Sequence, residues 1–84
     1  MSYADDVRSH VNVHYIKPAR SRGDSEVEIL TGDVHKALGY RNRYPLVCGA
    51  LGSQMFENTY RVCRVAVEGP LNGASTLFRF RLLA

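Results

Sequence analysis

Arginine is the residue type whose chemistry and spacing say most in this sequence. Arg41 and Arg43 alternate with Tyr40, Asn42 and Tyr44 in the segment YRNRY, and three further arginines lie in the C-terminal third: Arg64, Arg79 and Arg81. A guanidinium group binds phosphate oxygens in a two-pronged geometry and stacks on bases, which the ammonium group of lysine does less well. These arginines therefore favour an anionic partner. The alternative is that YRNRY is only a polar turn between two helices.

The charges are unevenly distributed along the chain. The first 34 residues hold four basic and six acidic side chains, a net charge of −2, whereas residues 35–84 hold seven basic and two acidic ones, a net charge of +5. A basic half of this kind attracts polyanions, and nucleic acid is the first candidate. The alternative is a solvated basic surface without a ligand.

Catalysis and metal binding have little support in the sequence. His10 and His14 are four residues apart, a spacing at which two side chains share a helix face, but no third metal ligand is evident. His35 and Asp33 are two apart and do not share one. No HExxH, nucleophile or phosphate-loop motif occurs. We expect no enzyme activity, no metal site and no cofactor.

The composition is that of one ordinary globular domain spanning residues 1–84, with 45% apolar and 23% charged residues. No apolar run is long enough to cross a bilayer, and the segment MSYADDVRSH lacks the order of a signal peptide, so we expect a cytoplasmic protein with no membrane partner. Cys48 and Cys63 fall within apolar segments, and we expect both to be reduced and buried.

The periodicity predicts three helices and a short strand. Apolar residues at spacings of three and four predict a first helix over 3–16, limited by Pro18, and the loop PARSRGDS follows. The alternating segment EVEIL predicts a strand over 26–30. A second helix over 32–38 has Thr31 as its cap and Gly39 as its left-handed stop, and a third over about 43–54 has Asn42 as its cap.

The dipeptide Asn72-Gly73 predicts a two-residue type I′ turn in a C-terminal hairpin. The resulting register has three pairs on an apolar face and three on the other: Val67 with Phe78, Val65 with Phe80 and Cys63 with Leu82; and Ala66 with Arg79, Arg64 with Arg81 and Val62 with Leu83. The register brings Arg64, Arg79 and Arg81 together, an arrangement that an anion would stabilise. The alternative is a solvated edge hairpin whose charges discourage aggregation.

The order helix, strand, helix, helix, strand, strand resembles that of a winged helix-turn-helix domain. The resemblance covers nearly the whole chain and implies an α+β fold whose C-terminal hairpin, residues 60–83, is the wing. The pattern GDVHKALG followed by NRYPLVCGAL also resembles a set of small, poorly characterised prokaryotic proteins. In winged-helix proteins the third helix enters the major groove and the wing contacts the backbone or the minor groove.

The resemblance implies double-stranded DNA as the partner, in a role in transcription or DNA metabolism. The middle of the third helix offers no Arg, Asn or Gln to base edges, so we expect contacts with phosphates and limited base readout. Gly49 and Gly52 would permit close approach to DNA or, alternatively, close helix packing. The candidate contact residues are Lys36, Arg41, Asn42, Arg43, Tyr44, Ser53, Gln54, Arg64, Arg79 and Arg81.

A second hypothesis assigns the same fold to protein interaction without nucleic acid. The anchors would then be aromatic and apolar side chains: Tyr40, Tyr44, Leu46 and Met55 or Phe56. A homodimer is compatible with either hypothesis.

Overall fold

A computed structural model describes residues 2–70 and 72–83 and shows an α+β fold. The elements are, in chain order, α1 (Tyr3–Val11), a π-helical segment (Asn12–Ile16), α2 (Lys17–Arg22), β1 (Glu26–Leu30), α3 (Thr31–Ala37), α4 (Tyr44–Leu51), α5 (Gln54–Tyr60), β2 (Val62–Glu68) and β3 (Leu77–Leu82). In the described part of the chain, no helix has the length and apolar character needed to cross a membrane.

The N-terminal helical region passes through Pro18, so the predicted end at residue 16 is wrong. Pro18 has no N–H to donate to the carbonyl four residues before it. The π-helical turn before α2 widens the backbone, with the N–H of Lys17 donating to the carbonyl of Asn12. Helix α2, predicted as loop, ends at Gly23 with φ of 79°. Its Arg20 donates to the carbonyls of Tyr60, Arg61 and Leu83 and so ties α2 to the ends of α5 and β3.

The three strands form an antiparallel sheet in the order β1, β3, β2. One face packs against the helices, where Ile29, Phe78 and Phe80 join a single buried apolar cluster with Val7, Val11, Val47, Leu51 and Phe56. The other face, the outer sheet face, carries mainly polar residues: Glu26, Glu28, Cys63, Ala66, Glu68, Arg79 and Arg81. The strand predicted at 26–30 is confirmed, and its burial alternates as the sequence does.

The predicted hairpin register is right near the loop and wrong beyond a β-bulge at Val65. Val67 pairs with Phe78 and Ala66 with Arg79, as predicted, but beyond the bulge the partners shift by one residue: Arg64 with Phe80, Cys63 with Arg81, and Val62 with Leu82. The bulge lets Val62 enter the core while Val67 remains opposite Phe78, although their odd spacing would place them on opposite faces of a regular strand. Cys63 is consequently exposed, contrary to prediction, whereas Cys48 is buried.

The predicted two-residue turn is also wrong, because β2 ends at Glu68 and β3 begins only at Leu77. Asn72 has φ of 56°, but Gly73 does not have the positive φ that a type I′ turn requires. The connecting loop instead folds onto the start of α3, where the N–H groups of Thr31 and Gly32 donate to the carbonyls of Thr76 and Ala74. These bonds satisfy donors that a helix N-terminus leaves free.

The predicted third helix corresponds to α4, and α5, which follows after Gly52 and Ser53, was not predicted. The core positions Val47, Ala50 and Leu51 are buried as predicted. Two predicted caps are wrong, since Leu30 precedes α3 and Arg43 precedes α4, neither with a side-chain cap bond. The stop at Gly39 is confirmed by its φ of 71°.

Candidate nucleic-acid interface

The connection between α3 and α4 is built around the buried ring of His35. The N–H of Arg43 donates to His35 Nε2 at 3.1 Å, and the N–H of Tyr40 donates to the His35 carbonyl at 3.1 Å. The Tyr44 ring stacks on the imidazole with centroids 4.0 Å apart, and the Tyr40 ring meets it edge to face at 6.0 Å. His35 therefore fixes the backbone that carries Arg41 and Arg43. This role of His35 was not predicted, and its one signal in the sequence is the position of His35 next to Val34, a residue of the predicted apolar face.

The start of α1 supports the same connection from outside. The guanidinium carbon of Arg43 lies 4.7 Å above the centre of the Tyr3 ring, a cation–π contact that leaves the positive charge in place. Tyr3 meets Tyr40 edge to face at 5.8 Å. Burial raises the pKa of Tyr40, and the nearby Asp6 carboxylate raises it further.

The end of α3 and the connection to α4 carry three cations, and we call Lys36, Arg41 and Arg43 the basic elbow. All three are exposed. Among the described residues none of them forms an ion pair with a carboxylate. Asn42 between the arginines is exposed in the left-handed conformation, and Tyr44 is half-buried against His35. The basic elbow therefore combines exposed positive charge with a fixed backbone.

Beyond the basic elbow, the exposed side of α4 is nearly featureless. It presents Pro45 and Gly49, with Leu46 half-buried beside them. Ser53 and Gln54, both predicted DNA contacts, form bonds within the chain: Ser53 Oγ accepts from the N–H of Phe56 and donates to the Ala50 carbonyl, and Gln54 donates to Asn58. No described side chain on this surface of α4 is suited to reading base edges.

Arg64 lies at the opposite end of α4 from the basic elbow. Its Nη1 is 3.4 Å from the carbonyl of Gly52, and its backbone N–H donates to Glu57 Oε1 at 2.8 Å. The β-bulge places Arg64 opposite Phe80, on the side of the sheet that faces the helices. The guanidinium is exposed and forms no ion pair within the described part of the chain. Positive charge therefore stands at both ends of α4.

Arg79 and Arg81 lie on the outer sheet face, so the predicted cluster with Arg64 does not form. Arg79 donates to Glu28 from Nε at 3.2 Å and from Nη2 at 3.1 Å, and Nη2 also donates to Glu68 at 3.1 Å. These bonds raise the pKa of Arg79, with the Glu28 hydrogen bond as the largest cause. Arg81 lies between Glu26 and Cys63 in the register.

The histidine pair of the first helix does not belong to a larger ligand set. The rings of His10 and His14 lie 4.4 Å apart, and burial, followed by the charge of His14, lowers the pKa of His10. Within residues 2–70 and 72–83, no three His, Cys, Asp or Glu side chains are grouped closely enough to hold a metal ion.

Comparison with known proteins identifies no relative of this chain: no family model, no curated protein and no solved structure matches it.

Proposed function

We propose that the protein is a DNA-binding module of the winged-helix type, acting in transcription or DNA metabolism. The observation that carries the proposal is the distribution of cations around α4. Lys36, Arg41 and Arg43 precede α4 and Arg64 lies near its end, and none of their side chains forms an ion pair among the described residues. Such an arrangement suits the phosphate backbone of a duplex, whose negative charges repeat along the helix.

The element order supports the winged-helix part of the proposal. A helical region precedes β1, the pair α3 and α4 follows, and β2 and β3 complete the sheet, with the short α5 as an addition. The loop after β2 takes the place of the wing, but its described residues carry no cation. In this proposal the loop contributes shape, and Arg64 on β2 contributes charge.

The surface of α4 determines the kind of binding. Pro45 and Gly49 offer no side-chain hydrogen bond to a base, so affinity comes mainly from phosphate contacts. Binding of this type shows limited sequence preference and weakens steeply as salt rises, because each neutralised phosphate releases counterions.

The protein-interaction alternative is less well supported. Phe56, one of its proposed anchors, is fully buried in the core, whereas Met55 is exposed beside acidic residues of α1. Tyr40 and Tyr44 both pack against His35. The surface that remains at the elbow is more cationic than apolar, which favours DNA.

Two matched double variants test the proposal. Arg41→Gln with Arg43→Gln removes two elbow charges, and Arg79→Gln with Arg81→Gln removes two from the outer sheet face. Fluorescence anisotropy with a labelled duplex at two salt concentrations measures affinity, and circular dichroism confirms the fold of each variant. We expect the elbow variant to lose roughly 100-fold in affinity. The slope of log affinity against log salt should become shallower by an amount equivalent to about two released counterions, since each charge neutralises one phosphate.

The outer-face variant is the control, and we expect it to change affinity by less than about threefold because Arg79 is held by Glu28 and Glu68 and Arg81 lies opposite Glu26. Equal losses in both variants would contradict the assigned surface. The absence of salt-dependent duplex binding in the unmodified protein would contradict the DNA proposal itself.

A further inference from the structure

A groove of about 440 Å³ separates the C-terminal half of α4 from β2 and β3. Its lining includes the buried Cys48 and Phe78, Gly49 and Gly52 from the end of α4, and the exposed Arg64 and Val67 from β2. Cys48 and Phe78 are nearly covered by their neighbours, so the groove exposes only their edges. Its size is in the range of small-molecule sites.

Gly49 opens the helix side of this groove. A Cβ built at Gly49 would have no heavy atom within 4 Å, so packing inside the described chain does not require a glycine here. A glycine within a helix also weakens that helix relative to alanine. Gly52 is different, because its Cβ would lie 3.1 Å from the Cys48 carbonyl and 3.3 Å from Arg64 Nη1. The free space at Gly49 is therefore available to a ligand.

The opposite wall of the groove is held in place by the loop after β2. Thr76, which lines the groove, is fully buried; its hydroxyl donates to the Pro70 carbonyl and accepts from the N–H of Gly73 at 3.1 Å. Thr31 Oγ1 donates to the Gly73 carbonyl at 2.6 Å, which ties the loop to α3. A wall fixed by these bonds makes the groove largely preformed, which lowers the entropic cost of binding.

Arg64 is the one charged side chain among the described residues that line the groove. It stands at the rim without a carboxylate partner there, and it can bind a carboxylate through two parallel hydrogen bonds. We propose that the groove binds a small monocarboxylate with an apolar body. The carboxylate contacts the Arg64 guanidinium, and the apolar body lies along Gly49 over Cys48 and Phe78.

The ligand site does not depend on the proposed function, but one consequence does. Arg64 is also assigned to a DNA phosphate, and a carboxylate bound there would occupy the same guanidinium. If both assignments are correct, a bound monocarboxylate competes with DNA, which would make the module responsive to a metabolite of this class.

The probe for the site is 4-phenylbutyrate, titrated into ¹⁵N-labelled protein without DNA. We expect saturable shifts of the Gly49, Gly52 and Val67 amides, and at least tenfold weaker binding of the neutral analogue 4-phenylbutanamide because it lacks the charge that Arg64 binds. No shift of these amides at millimolar probe, or equal binding of acid and amide, would overturn the proposal.

Two pairs of variants locate the ligand. Gly49→Leu fills the groove and should weaken 4-phenylbutyrate binding at least tenfold, whereas Gly49→Ala, which also favours the helix, should change it less than about threefold. Arg64→Gln should weaken it about tenfold, and Arg81→Gln on the outer sheet face should have no effect. Unchanged binding in Gly49→Leu or Arg64→Gln would refute the site.

The elbow variant Arg41→Gln with Arg43→Gln separates this proposal from the DNA proposal. It should bind 4-phenylbutyrate as the unmodified protein does, because neither arginine lines the groove. In the unmodified protein, absence of duplex binding with intact 4-phenylbutyrate binding overturns only the DNA proposal, and the reverse result overturns only the groove.

Discussion

The basic elbow and the outer sheet face both carry arginines, but they use them differently. At the elbow, Arg41 and Arg43 are exposed without a carboxylate partner in the described chain, and their backbone is fixed through His35. On the outer sheet face, Arg79 lies between Glu28 and Glu68 and donates to both. A paired guanidinium must give up its partners before it can bind a phosphate, whereas an unpaired one need not.

The difference shows why a count of arginines overstates the binding surface. Cross-strand neighbours decide whether an arginine on a sheet is paired, and Arg79 lies directly opposite Glu28 on β1. The elbow arginines project from a turn between two helices. No neighbouring strand among the described residues places a carboxylate beside them. Two regions with the same residue type therefore have different chemistry.

Among the substitutions that test the contrast between the basic elbow and the outer sheet face, His35→Ala is expected to have the largest effect. The substitution removes the ring stacked on Tyr44 and leaves the N–H of Arg43 without its acceptor. We expect a loss of about 2–4 kcal/mol in the free energy of unfolding, as for a buried aromatic truncation with an unsatisfied donor, measured by urea denaturation. Duplex affinity should fall as well, although no cation is removed.

Lys36→Ala is the matched control for the stability measurement, because Lys36 is the exposed neighbour of His35 in α3. We expect it to change the free energy of unfolding by less than about 0.5 kcal/mol. If His35→Ala were as mild as this control, the imidazole would not be what holds the elbow.

Much of the framework was predictable because it depends on local patterns. The alternation in Glu26–Leu30 gave β1, Gly39 marked the end of the helical turn after α3, and the spacing of Val47, Ala50 and Leu51 identified the buried side of α4. Arg41 and Arg43 were exposed as expected. These features need only neighbours in the chain.

The features that the sequence analysis missed depend on contacts between distant segments. The bulge at Val65 places the Val62 side chain in the core, and it turns Arg64 away from Arg81. The loop after β2 is shaped by α3, through Thr31, rather than by Asn72-Gly73 alone. Pro18 remains inside the helical region because a π-helical turn and the bonds of Arg20 compensate for it. None of these partners can be read from a local motif.

A smaller effect, on duplex affinity, is expected when the ion pairs of Arg79 are removed. Glu28→Gln with Glu68→Gln removes both carboxylates that pair with it and gives the outer sheet face an unpaired guanidinium like those of the elbow. We expect duplex affinity to rise severalfold and the salt dependence to steepen by about one counterion, as one more phosphate contact would produce. The anisotropy titration at two salt concentrations measures both.

Asp6→Asn with Asp33→Asn is the control for the change in net charge, since both are exposed and neither forms an ion pair within the described part of the chain. An equal gain in this control would show that total charge, rather than release of Arg79, governs affinity. The contrast between the two regions would then fail.

The smallest expected effect is a pH dependence of stability that arises in the helices. The outer sheet face does not contribute to it through histidine, because its described residues include none. Burial lowers the pKa of His10 below its ordinary value of 6.5, and His14 lowers it further. The unfolded chain therefore binds a proton at His10 more readily than the folded one. Stability is complete above pH 6.5 and falls as pH decreases from 6.5 toward the lower folded pKa.

Urea denaturation at pH 7.5 and at about pH 5.5 measures this change, and His10→Gln isolates it from other groups. We expect the unmodified protein to lose more stability over this range than the variant, in which residue 10 no longer titrates. His14, Tyr15 and Asp6 lie around His10 in the same helical region, and His14 is the group whose charge acts on the pKa of His10. Identical pH profiles would show that His10 titrates alike in the folded and unfolded chains, and the lowered pKa would then be wrong.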